Sequence, residues 1–255
     1  MNAIAPRQFI QRVAVVAGGA RGIGLEIVRQ ILEQGHKVAL LDISEENLAS
    51  AQAALGEDGA NLLLVKCDIT VGSAVEAAVG RVAKELGAVE ILVNCAGWSP
   101  NKPFIEMPED EYSRIIAINY VGVLNLCRAM LPEMQQRGWG RIVNIGSDAA
   151  RVGTPREAVY AGAKAAVIGF SKSLSAEVAR AGVTVNVVCP GTTDTPLLRA
   201  VLSEDQIERR MKANPSGRIG RPEDIAGAVM YFVSENAGYI NGQVLSVNGG
   251  ITRVG

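Results

Sequence analysis

Tyr160 and Lys164 stand four residues apart in AVYAGAKAA (158–166), where nearly every other side chain is small and apolar. On a helix that spacing sets both on one face. A phenol titrates near pH 10, so work as a base near neutrality requires its pKa to fall by roughly 3 units, about 4 kcal/mol. One ammonium about 4 Å away, at an effective dielectric near 20, contributes about that much. Tyr160 also falls in the first turn of a helix predicted over 158–181, where the positive helix end favours a phenolate. The spacing thus predicts an acid/base phenol whose pKa is lowered by its lysine. Ser147 follows the apolar run GRIVNIG (140–146), which delivers a hydroxyl to the same region.

A second chemistry lies near the start of the chain. AGGARGIG, Ala17 to Gly24, joins an apolar run to a helical pattern, and Gly18, Gly22 and Gly24 let backbone N–H groups approach a diphosphate at a helix N-terminus. Asp42 ends the next apolar run in ALLDIS, 18 residues beyond Gly24, where a ribose would lie. A carboxylate there accepts from both ribose hydroxyls and repels a 2′-phosphate, which favours NAD over NADP. Arg21 pulls the other way, because a guanidinium meets a phosphate well. Asp68 and Asn94 each close an apolar run and are expected to point into the same cleft.

The elements that must hold these groups alternate. Short β-branched runs at 12–17, 37–41, 61–66, 89–94, 140–146, 183–189 and 243–247 read as strands, the inner ones buried on both faces. Helical spacing is read over 22–34, 44–55, 72–86, 109–137, 158–181 and 222–234, with a polar, partly helical substrate loop near 192–214. The expectation is an α/β fold: one Rossmann-type domain over 1–255, a doubly wound parallel sheet of about seven strands with helices on both faces. Ser44 before Glu45 and Glu46, and Pro222 before Glu223 and Asp224, mark helix starts.

Bulk properties narrow the classes. Lys+Arg 25 against Asp+Glu 26 leaves a net charge of −1, so no basic field is available for nucleic acid. The cysteines at 67, 95, 127 and 189 show no CxxC spacing and read as reduced, buried thiols. A single histidine, His36, reads as a surface turn residue, and a multi-histidine metal site is impossible. The opening MNAIAPRQFIQ lacks a signal-peptide core and no apolar run approaches the roughly 20 residues of a membrane span, so a cytoplasmic protein without a membrane partner is expected.

Taken in order, AGGARGIG, LLDIS, CDIT, NCAG, IAINYVG, VNIGS, YAGAK, VCPG and INGQVLSVNGG resemble the short-chain dehydrogenase/reductases over nearly the whole chain. The resemblance implies a catalytic set of Asn119, Ser147, Tyr160 and Lys164. In it Asn119 holds a water of the proton relay, Ser147 bonds the substrate oxygen and Tyr160 is the acid/base. Lys164 binds the nicotinamide ribose and lowers the tyrosine. It further implies cofactor contacts from Gly18, Arg21, Gly22, Ile23 and Gly24; from Asp42 and Ile43; from Asp68 and Ile69; from Asn94, Ala96 and Gly97; from Tyr160 and Lys164; and from Pro190, Gly191 and Thr192. Ala17 and Cys95 depart from the family's usual threonine and asparagine, at positions expected behind the cofactor. Family members usually form tetramers, which implies a homotetramer through 109–137 and 158–181. SDAARVG, PGTTDTPLL and GQVLSVNGG are similar to bacterial NAD-dependent dehydrogenases of cyclic hydroxy acids, the 2-hydroxycyclohexanecarboxyl-CoA dehydrogenases among them.

The reaction expected is NAD-dependent interconversion of a secondary alcohol and a ketone on a cyclic or anionic hydroxy compound. The substrate is expected between Trp98, the loop after Ser147 and 192–214, with Arg151 or Arg156 meeting an anionic group. Two alternatives stand beside it: a 3-oxoacyl-carrier-protein reductase, which normally uses NADPH, and a non-catalytic NAD-binding sensor or scaffold.

Overall fold

The computed structural model describes residues 10–56 and 61–254; the first nine residues, on which part of the leader expectation rested, lie outside them. Seven parallel strands form one sheet in the order β3-β2-β1-β4-β5-β6-β7. They are β1 (Val13–Ala17), β2 (Lys37–Asp42), β3 (Leu62–Lys66), β4 (Ile91–Asn94), β5 (Gly140–Ile145), β6 (Val183–Pro190) and β7 (Val244–Val247). The strand order reverses between β1 and β4, and the crevice beyond their carboxyl ends is where such sheets bind ligands.

Alternation along the strands splits the core into two layers. Val13, Val15, Ala17, Ala39 and Leu41 pack with α3 (Gly72–Glu85), α5 (Gly122–Arg137) and α7 (Ala158–Val178). Ala14, Val16, Val38 and Leu40 face α1 (Gly22–Glu33), α2 (Glu45–Leu55) and α10 (Pro222–Val233). Each fully buried aliphatic side chain contributes about 1.5–3 kcal/mol. Helix starts follow their chemistry: Ser44 Oγ accepts from Asn47 N at 3.2 Å, and Asp224 Oδ2 from Arg221 N at 2.7 Å.

Three expectations are corrected. The helix predicted over 109–137 is divided into α4 (Glu109–Ile116), a π-helical turn at Ala117–Val121, and α5. Such turns cluster at functional sites, and this one carries Asn119. The same 29-residue stretch, Glu109–Arg137, is long and apolar enough to cross a membrane, although no such run was expected. Ile115, Leu126, Met130 and Met134 on it are fully buried, so it belongs to the core on one sheet face. His36 is half-buried rather than a surface residue, and its Nδ1 accepts from Arg12 N at 3.1 Å.

Candidate active site

Two adjoining cavities lie along the carboxyl edge of the sheet, and both are lined by Ile23, Cys95, Gly97, Thr195 and Leu197. The first, about 410 Å³, is walled by Gly18, Arg21, Gly22, Ile23 and Gly24, by Asp42 and Ile43, by Asp68 and Ile69, and by Ala96 and Gly97. Its floor is the turn from β1 into α1. A Cβ at Gly24 would lie 2.1 Å from the Gly18 carbonyl oxygen, so only glycine closes that turn. Asp42 Oδ1 accepts from Ser44 N at 3.0 Å, which holds the carboxylate at the end of β2. Asp68 Oδ1 is tied into its own turn by Thr70 N and Thr70 Oγ1. A bare cradle ahead of a helix N-terminus and a carboxylate one strand away fit the diphosphate and ribose of a dinucleotide.

The second cavity, about 430 Å³, holds Ser147, Tyr160 and Lys164 with Pro190, Gly191 and Thr192. After β5 the Gly146 N–H bonds the Val188 carbonyl at 2.8 Å, which aligns the chain so that Ser147 emerges at the sheet edge. Ser147 and Tyr160 share a hydrogen bond. Tyr160 lies in the first turn of α7 as expected, and the Lys164 ammonium stands 5.8 Å from its ring centroid.

The electrostatics differ from expectation. Burial pushes the Tyr160 phenol up, Glu157 adds to the rise, and the Ser147 hydrogen bond only partly opposes it. Lys164 is 2% exposed, and burial lowers its pKa to about 8. Its Nζ donates to the Ile145 carbonyl at 2.8 Å. An amine that is itself desolvated and turned to a backbone carbonyl does not hold the phenolate down, so desolvation outweighs the ion–phenol attraction. The phenol of this chain remains protonated at neutral pH, in the form that donates.

Asn119 lines neither cavity. Its Nδ2 donates to the Trp98 and Ile115 carbonyls at 2.8 and 2.9 Å, and its Oδ1 accepts from Trp98 N at 3.4 Å. The side chain therefore clamps the loop after β4. Gly97 separates it from the lysine: a Cβ there would sit 3.0 Å from Asn119 Oδ1 and 3.7 Å from Lys164 Nζ. Asn94 also stays out of the cleft. In register with Asn144, it donates to Asn144 Oδ1 at 2.6 Å, and Asn144 donates on to Ser171 at 2.8 Å, a buried polar ladder between β4, β5 and α7.

Four further placements change. Cys95, expected behind the cofactor, lines both cavities, and burial lifts its thiol to about 11. Arg151 turns away, giving Nη1 to Ser246 Oγ and Nη2 to the Val254 carbonyl, both at 2.8 Å, so it pins the C-terminal segment instead of meeting substrate. Arg156 is exposed, and its Nε donates to Asn101 at 3.2 Å. Trp98 lines the first cavity rather than the second, with Arg114 stacked 4.4 Å from its ring.

The segment near 192–214 forms α8 (Pro196–Val201) and α9 (Glu204–Ala213) over the mouth. Thr195 caps α8 by accepting from Leu198 N at 3.2 Å. From these elements and the loop before α7 come lining residues that motif spacing did not single out: Thr195, Leu197, Arg210 and Glu157. The segment was read as polar and partly helical, but nothing in the order of residues showed which face would turn inward.

Such a sheet, its glycine cradle and the Ser147–Tyr160–Lys164 cluster define a dinucleotide-binding α/β oxidoreductase. A family model described as Enoyl-(Acyl carrier protein) reductase matches residues 18–252. The chain is 39% identical over 246 residues to the 3-oxoacyl-(acyl-carrier-protein) reductase FabG of Salmonella typhimurium, covering 96% of this chain and 99% of the relative. It is 39% identical over 243 residues to FabG of Vibrio harveyi, at 95% and 98% coverage. Among solved structures it is similar to actinorhodin polyketide ketoreductase with NADPH, at TM-score 0.92, 34% identity and coverage of 96% and 98%. Levodione reductase superposes at TM-score 0.90 with 27% identity, covering 95% and 98%. The chain belongs to the short-chain dehydrogenase/reductase family. It is an oxidoreductase of the ketoreductase type, acting on CH–OH groups with a nicotinamide cofactor.

Proposed function

We propose that this chain interconverts a 3-oxoacyl ketone and its 3-hydroxy partner, with Tyr160 as the proton donor and acceptor. The observation that carries the reading is the convergence of Ser147, Tyr160 and Lys164 in a cavity continuous with the glycine cradle. The relatives named above act on oxoacyl and keto substrates, which favours this substrate class over the cyclic hydroxy acids that short stretches of sequence suggest.

In the reductive direction the protonated phenol of Tyr160 gives its proton to the carbonyl oxygen, and the Ser147 hydroxyl holds that oxygen. Lys164 lies one helical turn beyond and donates to the Ile145 carbonyl, which fixes its ammonium beside the ring. Asn119 positions the loop carrying Gly97 and Trp98. Gly18, Gly22 and Gly24 would hold the diphosphate, Asp42 and Ile43 the adenosine ribose, Asp68 and Ile69 the adenine edge. Ala96, Gly97, Pro190, Gly191 and Thr192 would flank the nicotinamide, which supplies the hydride when bound.

We assign the cofactor as NAD on the strength of Asp42. A carboxylate held at the end of β2 by Ser44 N repels a 2′-phosphate. The polyketide ketoreductase structure holds NADPH, so the assignment separates this chain from that relative. Reduction of ethyl acetoacetate should run at least tenfold more efficiently, as kcat/KM, with NADH than with NADPH. An NADPH preference overturns the cofactor assignment, and turnover with neither cofactor overturns the reductase reading. A homotetramer through the outer faces of α4–α5 and α7 is the corresponding assembly, and light scattering at four times the chain mass is its check.

A further inference from the structure

Charged side chains from four places reach the substrate cavity: Asp148, Glu157, Lys164 and Arg210. Two are engaged by the fold. Asp148 accepts from Ser246 Oγ and Asn248 Nδ2, and Lys164 donates to the Ile145 carbonyl. Glu157 and Arg210 are different. Glu157 stands at the N-cap of α7, three residues before Tyr160, and among the described residues no donor is hydrogen-bonded to its carboxylate. Arg210 lies three residues after the buried Ile207, so it shares the inward face of α9. Its Nη1 donates to Thr192 Oγ1 at 3.2 Å, and the remaining N–H groups of the fork have no other hydrogen bond among the described residues.

The two are near enough for their charges to interact: burial raises the Glu157 carboxyl and Arg210 draws it back. Together they offer the cavity a strong donor without net positive charge. A lone arginine would select a carboxylate. A carboxylate beside that arginine repels a second one, and specificity is commonly set by such a repulsive element. An uncharged carbonyl oxygen takes the charge-assisted hydrogen bond and meets no repulsion.

Resting on the reductase reading above, we propose that Glu157 and Arg210 form a charge-balanced specificity pair, in which Arg210 donates to a second, uncharged carbonyl oxygen of the substrate and Glu157 excludes a free carboxylate from that place. The substrate is then an oxo ester or thioester in preference to the oxo acid.

The test compares kcat/KM for ethyl acetoacetate, acetoacetate and 2-pentanone in the wild-type enzyme, Arg210→Met, Arg210→Lys and Glu157→Gln. Glu157 neighbours Tyr160, so ratios between substrates are read, in which any change of the phenol cancels. The wild-type enzyme should prefer the ester to both other ketones. Arg210→Met should lower the ester to 2-pentanone ratio at least tenfold, with Arg210→Lys between the two, because a hydrogen bond from a charged donor is worth roughly a factor of ten or more. Glu157→Gln should raise the acetoacetate to ester ratio at least fivefold. A wild-type enzyme indifferent to the three, an Arg210→Met variant with the ester ratio unmoved, or a Glu157→Gln variant with the acid ratio unmoved overturns the pair. Turnover of none of the three by the wild-type enzyme overturns the reductase reading itself, and the pair with it.

Discussion

The first cavity takes most of its lining from strand ends and the turns that follow them, at 18–24, 41–43, 67–70 and 95–98, whereas the second gathers most of its lining from residues scattered over 145–164, 190–214 and 251–252. The first presents a glycine turn and, at the end of β2, a carboxylate. In the second, a phenol and a lysine from α7 meet a serine that follows β5 and an arginine from α9, and burial alters the chemistry of at least two of them. A site made of turns is robust to its surroundings. One made of desolvated side chains depends on every wall around it.

The sharpest break of that contrast is chemical. Tyr160→Phe should lower kcat by about 10²–10⁴, the usual span for losing a general acid, while NADH binding followed by fluorescence stays near wild type. A variant with wild-type turnover would remove the tyrosine from the reaction.

Next comes the cofactor side, where a single carboxylate is expected to govern one property. Asp42→Ala should shift the NADH to NADPH preference toward NADPH by about tenfold or more, which corresponds to about 1.4 kcal/mol of relieved charge repulsion. The ratio of kcat/KM values reads it, and an unchanged ratio would hand recognition of the ribose to Arg21.

The third effect concerns stability. Lys164 has a folded pKa of about 8 against 10.5 for the ordinary side chain, so the unfolded chain holds its proton more tightly. The resulting penalty, about 3 kcal/mol at low pH, is full below pH 8, shrinks as pH rises from 8 to 10.5, and is gone above. Lys164→Met removes that penalty and leaves the Ile145 carbonyl without its donor, which costs about 1–3 kcal/mol. The variant should therefore be inactive yet at least as stable as wild type at pH 7, with its relative stability falling by about 3 kcal/mol between pH 7 and 10.5. Urea denaturation at the two pH values checks it, and a relative stability that does not fall between them would show that the lysine is not depressed.

The smallest effect falls at the rim. Arg156→Ala should change kcat/KM for ethyl acetoacetate less than threefold, because this exposed side chain spends its Nε on Asn101 and exposed polar contacts are worth about 0–1 kcal/mol. A tenfold loss would return Arg156 to the substrate site.

Much of the first cavity was legible in residue order. AGGARGIG lies wholly within one strand-turn-helix unit, and Asp42 and Asp68 sit at strand ends that apolar runs mark. Asn94 shows the limit of the same reasoning. It too ends a strand, but its register partner is Asn144, and the pair bonds within the sheet instead of facing the cleft. Arg151 and Arg156 followed Ser147 closely enough to suggest substrate contact; the short helix α6 (Ala149–Val152) turned one toward β7, and the other stayed at the surface. The cation that lines the cavity, Arg210, is 63 residues beyond Ser147 in the chain and arrives there through the packing of α9.

Sequence alone determined the strand and helix order, the glycine cradle, the carboxylate at the end of β2 and the four-residue spacing of the phenol and the amine. These are properties of one element or of one turn, and local spacing expresses them directly. Only the tertiary structure decided that Tyr160 is raised and Lys164 depressed, and that Glu157 and Arg210 share the second cavity. Desolvation and the meeting of distant charges depend on what every neighbouring segment places around a group, and no window along the chain contains that information.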